Sequence, residues 1–270
     1  MNMYLLLVPT VFAALYGMVV IPPRRWAKHT SGGLIGERRI ENSKDAHQLA
    51  KEVVAEAFAL WDERNWEVMH NASNLVVEAR RITEGPFKTS GILLHRADGV
   101  VEGANPDELF RFLTSVEGLL LLDPALDPAE AAKYMERYDW KGRGSRLDVH
   151  ESFTRDVPPG MKERYYITLN GYDYSDRFFF CKSIVHDARP GSSPYYEAGP
   201  VATEDPRVRA VNTFYFRMTP TRGGTRVQMI NYADVMMGST LMNWKVGKLF
   251  FPSVYDKLRE RFSNDVTKTS

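Results

Sequence analysis

Two spacings of apolar residues divide this chain, one of period two and one of period three to four. Leu147, Val149, Glu151 and Phe153 share one side of an extended run, and Tyr165, Ile167 and Leu169 mark a second. Phe178 to Val185 is almost continuously apolar. Ala210, Asn212, Phe214, Phe216 and Met218 alternate again, and Gly223-Gly224 turns into a last strand carrying Val227, Met229, Asn231 and Ala233 on one side. The period then changes. Met242, Val246, Leu249, Phe250, Val254, Leu258 and Phe262 recur at steps of three and four, which predicts one amphipathic helix over Ser239–Ser263. Such a helix is about 38 Å long at 1.5 Å per residue. Pro252 is expected to kink it, because it donates no hydrogen bond and crowds the carbonyl of Lys248.

The front half reads more locally. Ser43 is a candidate cap for a helix to about Arg64, with Ala46, Leu49, Val53, Ala57, Leu60 and Trp61 on its apolar side. A strand over Leu75–Ile82 follows. Asp98-Gly99 predicts a tight hairpin within residues 90–103, and Asn170-Gly171 predicts another turn. Asn105-Pro106-Asp107-Glu108 opens a helix to about Val116, and Asp127-Pro128-Ala129-Glu130 opens one to about Arg137. Residues 187–206 read as a long loop. Strands without intervening helices make an antiparallel sheet with helices segregated to its ends, an α+β plan.

The C-terminal residues carry a resemblance. Asn231-Tyr232-Ala233-Asp234-Val235, Gly238, Leu241-Met242-Asn243-Trp244, Phe251-Pro252 and Leu258-Arg259 resemble the closing signature of the START lipid-transfer domains. The order of helix, Trp66 and strand is similar to that family's opening. Ser175-Asp176-Arg177-Phe178 departs from its internal pattern, since the aspartate precedes the arginine. The resemblance implies a helix-grip (START/Bet v 1-like) fold over residues 43–265, a curved antiparallel sheet around the long C-terminal helix. It also implies one lipid in an internal cavity, transferred or presented between membranes. A membrane-tethered lipid sensor and a helix-grip enzyme are the alternatives. Residues 266–270 are a tail.

Ahead of that domain, Met3–Ile21 is uncharged and about 28 Å long as a helix, close to the hydrocarbon core of a bilayer. Residues 1–22 are therefore expected to be a single-pass signal-anchor. Arg24, Arg25, Lys28, Arg38 and Arg39 follow it in a basic linker, residues 23–42. That asymmetry puts the folded domain on the cytosolic side, at the endoplasmic reticulum or the outer mitochondrial membrane. A cleaved signal and the secretory pathway is the rival reading, under which Asn71-Ala72-Ser73 becomes a glycosylation acceptor.

Composition narrows the chemistry. The 270 residues are 44% hydrophobic and 26% charged with a net charge of +1, which gives no general affinity for nucleic acid. The one cysteine, Cys181, excludes an internal disulfide and reads as a packed strand residue. Histidines are scattered without metal-ligand spacing, and no nucleophile elbow or phosphate loop occurs. Neither cofactor nor metal is expected, and the lipid and the membrane are the expected partners. Polar residues on apolar stripes stand out instead: Glu151, Asn212 and Asn231. With Phe153, Tyr165, Ile167, Phe214, Met229, Met242, Val246 and Phe250 they form the candidate cavity lining.

Overall fold

A computed structural model describes residues 34–266 except 73, 84, 86, 88–90, 125, 132, 143, 155–162, 187–207, 235–242 and 245. Met3–Ile21, the predicted start of the C-terminal helix and Met242 lie outside the described residues, as does nearly all of the loop after His186. Among the described residues no helix is long and apolar enough to cross a membrane.

The elements in order are β1 (Arg39–Ile40), α1 (Ser43–Asp62), β2 (Glu67–Ala72), β3 (Leu75–Arg81), β4 (Leu93–Glu102), α2 (Pro106–Leu113), α3 (Val116–Leu122) and α4 (Pro128–Ala131). Then come β5 (Glu136–Asp139), β6 (Arg146–Phe153), β7 (Arg164–Asp173), β8 (Phe178–Ser183), β9 (Val185–His186), β10 (Val208–Arg209), β11 (Val211–Thr221) and β12 (Gly224–Asp234). A π turn, Val246–Phe250, leads into α5, Phe251–Val266. One ten-stranded sheet runs β2-β3-β4-β12-β11-β8-β7-β6-β5, antiparallel throughout that path, with β10 added in parallel to β7.

Both faces of this sheet are covered, and each cover has its own core. On the outer face α1 buries Ala46, Leu49, Val53, Ala57, Leu60 and Trp61 against side chains that include Leu147, Val149, Ile167, Phe180 and Tyr215. The helix starts one residue earlier than expected. Asn42, not Ser43, accepts from Lys44 N (2.9 Å) and Asp45 N (3.2 Å), while the Ser43 hydroxyl turns to His47. On the inner face α5 buries Phe251, Val254, Tyr255, Leu258 and Phe262 against β3, β4 and β12, and α2 packs on β11.

Several local expectations are corrected. Asp98-Gly99 is not a turn, because Leu93–Glu102 is one continuous strand. Gly99 is there for close approach: a Cβ at that position would lie 2.5 Å from Tyr255 Cε1 on α5. Asn170-Gly171 is likewise inside a strand, with the Phe180 ring laid over Gly171. The helix opened by Pro128 ends at Ala131, and residues 136–139 instead extend the sheet beside β6. There Arg137 reaches across the ladder to Asp148. In the C-terminal helix, the π turn inserts an extra residue immediately before Pro252 and rotates the preceding segment. Leu249 is consequently 50% exposed, whereas Phe251 and Tyr255 are buried. Val254, Leu258 and Phe262 keep their expected place.

Candidate functional site

Side chains directly opposite one another in an antiparallel ladder lie on the same face, so the sheet register can be read as rows across the inner face. One row is Tyr172, Phe179, Phe216, Met229, Ala97 and Val77, apolar throughout and packed in the inner core. The next row is different. It runs Asp148, Asn170, Cys181, Phe214, Asn231 and His95, each buried except Cys181. A third row continues with His150, Thr168 and Ser183, whose hydroxyl accepts from Asn212 N at 2.8 Å. The inner face thus changes from apolar to polar within two residues along β7, β12 and β4, while β11 keeps Phe214 in the second row.

The covers divide in the same way. The C-terminal helix runs from the β2–β3 edge, where the π turn contacts both strands, over β4. Asn243 pins its start like an added strand residue. Its Oδ1 accepts from Leu93 N (2.6 Å), its Nδ2 donates to Gly91 O (2.9 Å), and its carbonyl accepts from His95 Nε2 (3.1 Å). On the other side, α2 meets Tyr174 and Phe216 through Phe110. Beyond α3 the chain is tied to β6 by Asp127 N–H donating to Phe153 O at 3.0 Å. Leu119, Leu121 and Leu122 of α3, together with Val246 and Phe250 of the π turn, are only partly buried at the margins of the inner core.

Between these covers lies Cys181. It sits on β8, flanked by β7 and β11, and burial pushes its thiol up to about 12, with further contributions from a Thr168 hydrogen bond that lowers it and from Asp123 that raises it. Yet the residue retains accessible surface. The side chain is therefore not fully packed over on the inner face. Asn212, on the same face, also keeps accessible surface.

Burial alone would raise the Asp148 carboxyl, but the Arg137 and Arg146 guanidiniums bonded to it, with His150 Nε2 3.7 Å away, outweigh it and hold it well below the ordinary range. Arg137 contributes two bonds, at 2.7 and 2.9 Å, and Arg146 one at 2.9 Å. Arg146 also donates to the Tyr174 hydroxyl (3.1 Å) and lies over the Tyr172 ring. His95 is fully enclosed, and burial lowers it from 6.5 to about 4, against the two backbone carbonyls that favour its cation. It is a neutral donor to Asn243.

The architecture is an antiparallel sheet with helices on both faces and a C-terminal helix across one of them. The structure is similar to human STARD10 (14% identity, TM-score 0.48, covering 91% of this chain and 86% of that one). It is also similar to the lipid transfer and protein localization domain of human StarD13 (13%, 0.47, 83% and 98%). A fragment of a STAR-related lipid transfer protein from Xanthomonas axonopodis compares at 15% identity and TM-score 0.48, covering 74% and 99%. No protein-family model matches the sequence, and no curated protein does.

The candidate lining residues do not share one cavity. Asn212, Phe214, Met229 and Asn231 lie on the inner face, with Asn231 Nδ2 donating to Asn212 Oδ1 at 3.2 Å, and Val246 and Phe250 flank it. Glu151, Phe153, Tyr165 and Ile167 lie on the opposite side: Tyr165, Ile167 and Phe153 pack in the α1 core, and Glu151 shares their face. The apolar stripe of this strand packs under α1, and the polar stripe of Asp148, His150, Thr168 and Asn170 is on the inner face with Cys181 and His95, none of which is among the candidate lining residues. The available signal was the run of small polar residues at alternate positions of otherwise apolar strands.

Proposed function

We propose that the protein binds a single lipid in the space between the inner face of β7, β8 and β11, the π turn and α3, and transfers or presents it between membranes. The observation that carries this reading is Cys181, which keeps accessible surface on the inner face of β8, a face whose core is margined by the partly buried Leu119, Leu121, Leu122, Val246 and Phe250. Apolar walls with a few fixed polar groups are the ordinary composition of a small-ligand pocket. The reading is a binding protein rather than an enzyme: Asp148 is taken up by two arginines, and His95 is neutral and committed to the Asn243 carbonyl.

Cys181→Trp tests this. If a void lies above the thiol, the indole fills it: stability is unchanged or higher, and lipid extracted from the purified full-length chain falls from about one molecule per chain to a trace. If the interior is solid, the same substitution costs the 1–3 kcal/mol typical of overpacking, and the unaltered chain yields no lipid. That second result overturns the proposal. Movement of lipid from donor to acceptor vesicles separates a carrier from a sensor. The proposal includes the N-terminal anchor and a cytosolic domain at the endoplasmic reticulum or outer mitochondrial membrane. Asn71 is exposed on β2, so a glycan there would reverse that orientation.

A further inference from the structure

The lipid-binding reading leaves open what kind of head group the pocket accepts, and the floor around Cys181 bears on it. Its same-face neighbours on β7 are Thr168, Asn170 and Tyr172; on β8, Phe179 and Ser183; on β11, Asn212, Phe214 and Phe216. All are uncharged. Arg146 is committed to Asp148 and the Tyr174 hydroxyl, and Arg137 to Asp148. Of the two charges felt by the Cys181 thiol, Asp123 is negative, and Lys182 projects to the outer face, where it donates to the Tyr232 hydroxyl at 2.7 Å. Among the described floor residues a phosphate would find no Lys or Arg free to meet it, only the imidazole of His150 beside Thr168, and Asp123 lies near the thiol. An uncompensated buried charge of that kind is far more costly than a buried hydroxyl.

One polar atom on the floor lacks a partner. Asn170 is 6% exposed and stands directly opposite Cys181 in the ladder. Its amide bonds to the Tyr172 hydroxyl, while its Oδ1 has no hydrogen-bond donor among the described residues. A buried amide oxygen without a donor is destabilising until something supplies one. A hydroxyl both donates and accepts, so it satisfies the Asn170 amide in either of its two orientations.

We infer that the pocket selects an uncharged lipid whose head is a hydroxyl, held by Asn170, over any phospholipid. This rests on the lipid-binding reading and narrows it to the hydroxyl-bearing neutral lipids: sterols, diacylglycerols and ceramides. Water alone at Asn170 would fill the acceptor without choosing a lipid, so the test reads selectivity.

The test incubates the full-length chain with phosphatidylcholine vesicles carrying cholesterol, diacylglycerol and ceramide as minor components, re-isolates the protein and identifies bound lipid by mass spectrometry. A hydroxyl lipid is expected to be enriched over its vesicle share and phosphatidylcholine depleted. Asn170→Leu should still carry lipid but lose about tenfold of that enrichment, the equivalent of one net hydrogen bond. The lipid-free Asn170→Leu protein should lie within about 1 kcal/mol of the original, since removing the orphan acceptor offsets the partner lost by the Tyr172 hydroxyl; a cooperative unfolding transition shows that the variant folds. Phosphatidylcholine bound in proportion to its abundance, or enrichment unchanged in Asn170→Leu, overturns the inference and leaves lipid binding standing. Absence of every lipid from a folded, unaltered chain overturns lipid binding itself.

Discussion

The grip of the C-terminal helix on the sheet rests on one contact that can be measured. Tyr255 of α5 lays its ring on Gly99 of β4 and donates its hydroxyl to the Val227 carbonyl at 2.5 Å. In an open strand Gly→Ala is favourable by roughly 0.5–1 kcal/mol. Here the new Cβ would stand 2.5 Å from Tyr255 Cε1 and 2.9 Å from Cδ1, against an ordinary carbon–carbon separation of about 3.5–4.0 Å. The ring must move by about 1 Å, which overpacks the inner core and breaks the bond to Val227. We expect Gly99→Ala to cost about 2–4 kcal/mol, from about 1–3 for overpacking and a similar amount for the orphaned carbonyl, less the favourable strand term. Tyr255→Ala alone removes a buried aromatic side chain and should cost about 3–5 kcal/mol. In the double variant the methyl enters vacated space, so the two costs should fall short of their sum by about 2 kcal/mol. Asn74 O, 3.0 Å from the same Cβ, keeps the relief incomplete. Urea midpoints at constant slope give all four corners of the cycle. Additivity within about 0.5 kcal/mol would refute the contact as the reason for a glycine at this position.

Three further outcomes follow from the geometry. His95 is depressed to about 4 by burial, so the unfolded chain binds more protons than the folded one between there and 6.5. Stability should be complete above about pH 6.5 and fall toward pH 4 by an amount on the order of 3 kcal/mol, a slope that His95→Gln removes. Asp148→Asn leaves two arginines without their carboxylate; because both keep access to water, the expected loss is about 2–3 kcal/mol, below that of a sealed pair, read by thermal unfolding. Asn243→Ala strips partners from Leu93 N and Gly91 O and should cost about 2 kcal/mol, with amide exchange at Leu93 accelerating more than at Val101, farther along the same strand.

Features decided within a few residues were legible in the chain itself. The span of α1 and its apolar side, the Asn105 cap with Pro106 behind it, the hairpin at Gly223, and Val254, Leu258 and Phe262 on the last helix all follow from local spacing and cap chemistry. Asn243 stood within the residues resembling the START signature, and the structure supplies its task, pairing with the edge of β4 as another strand would.

Alternation shows which residues share a side of a strand, but it does not say what covers that side. Here helices lie on both faces, contributed by α1 from one end of the chain and α5 from the other, so what each stripe faces was settled by elements distant in sequence. Glu151 went to the α1 face for that reason, and Asp148 and Asn170 to the other. Glycine carries the same ambiguity: Gly99 and Gly171 have turn-forming neighbours, yet each is needed because an aromatic ring from elsewhere presses on its Cα. Secondary structure here was a matter of local periodicity, whereas the surroundings of each stripe depended on which helices the folded chain laid over that face of the sheet.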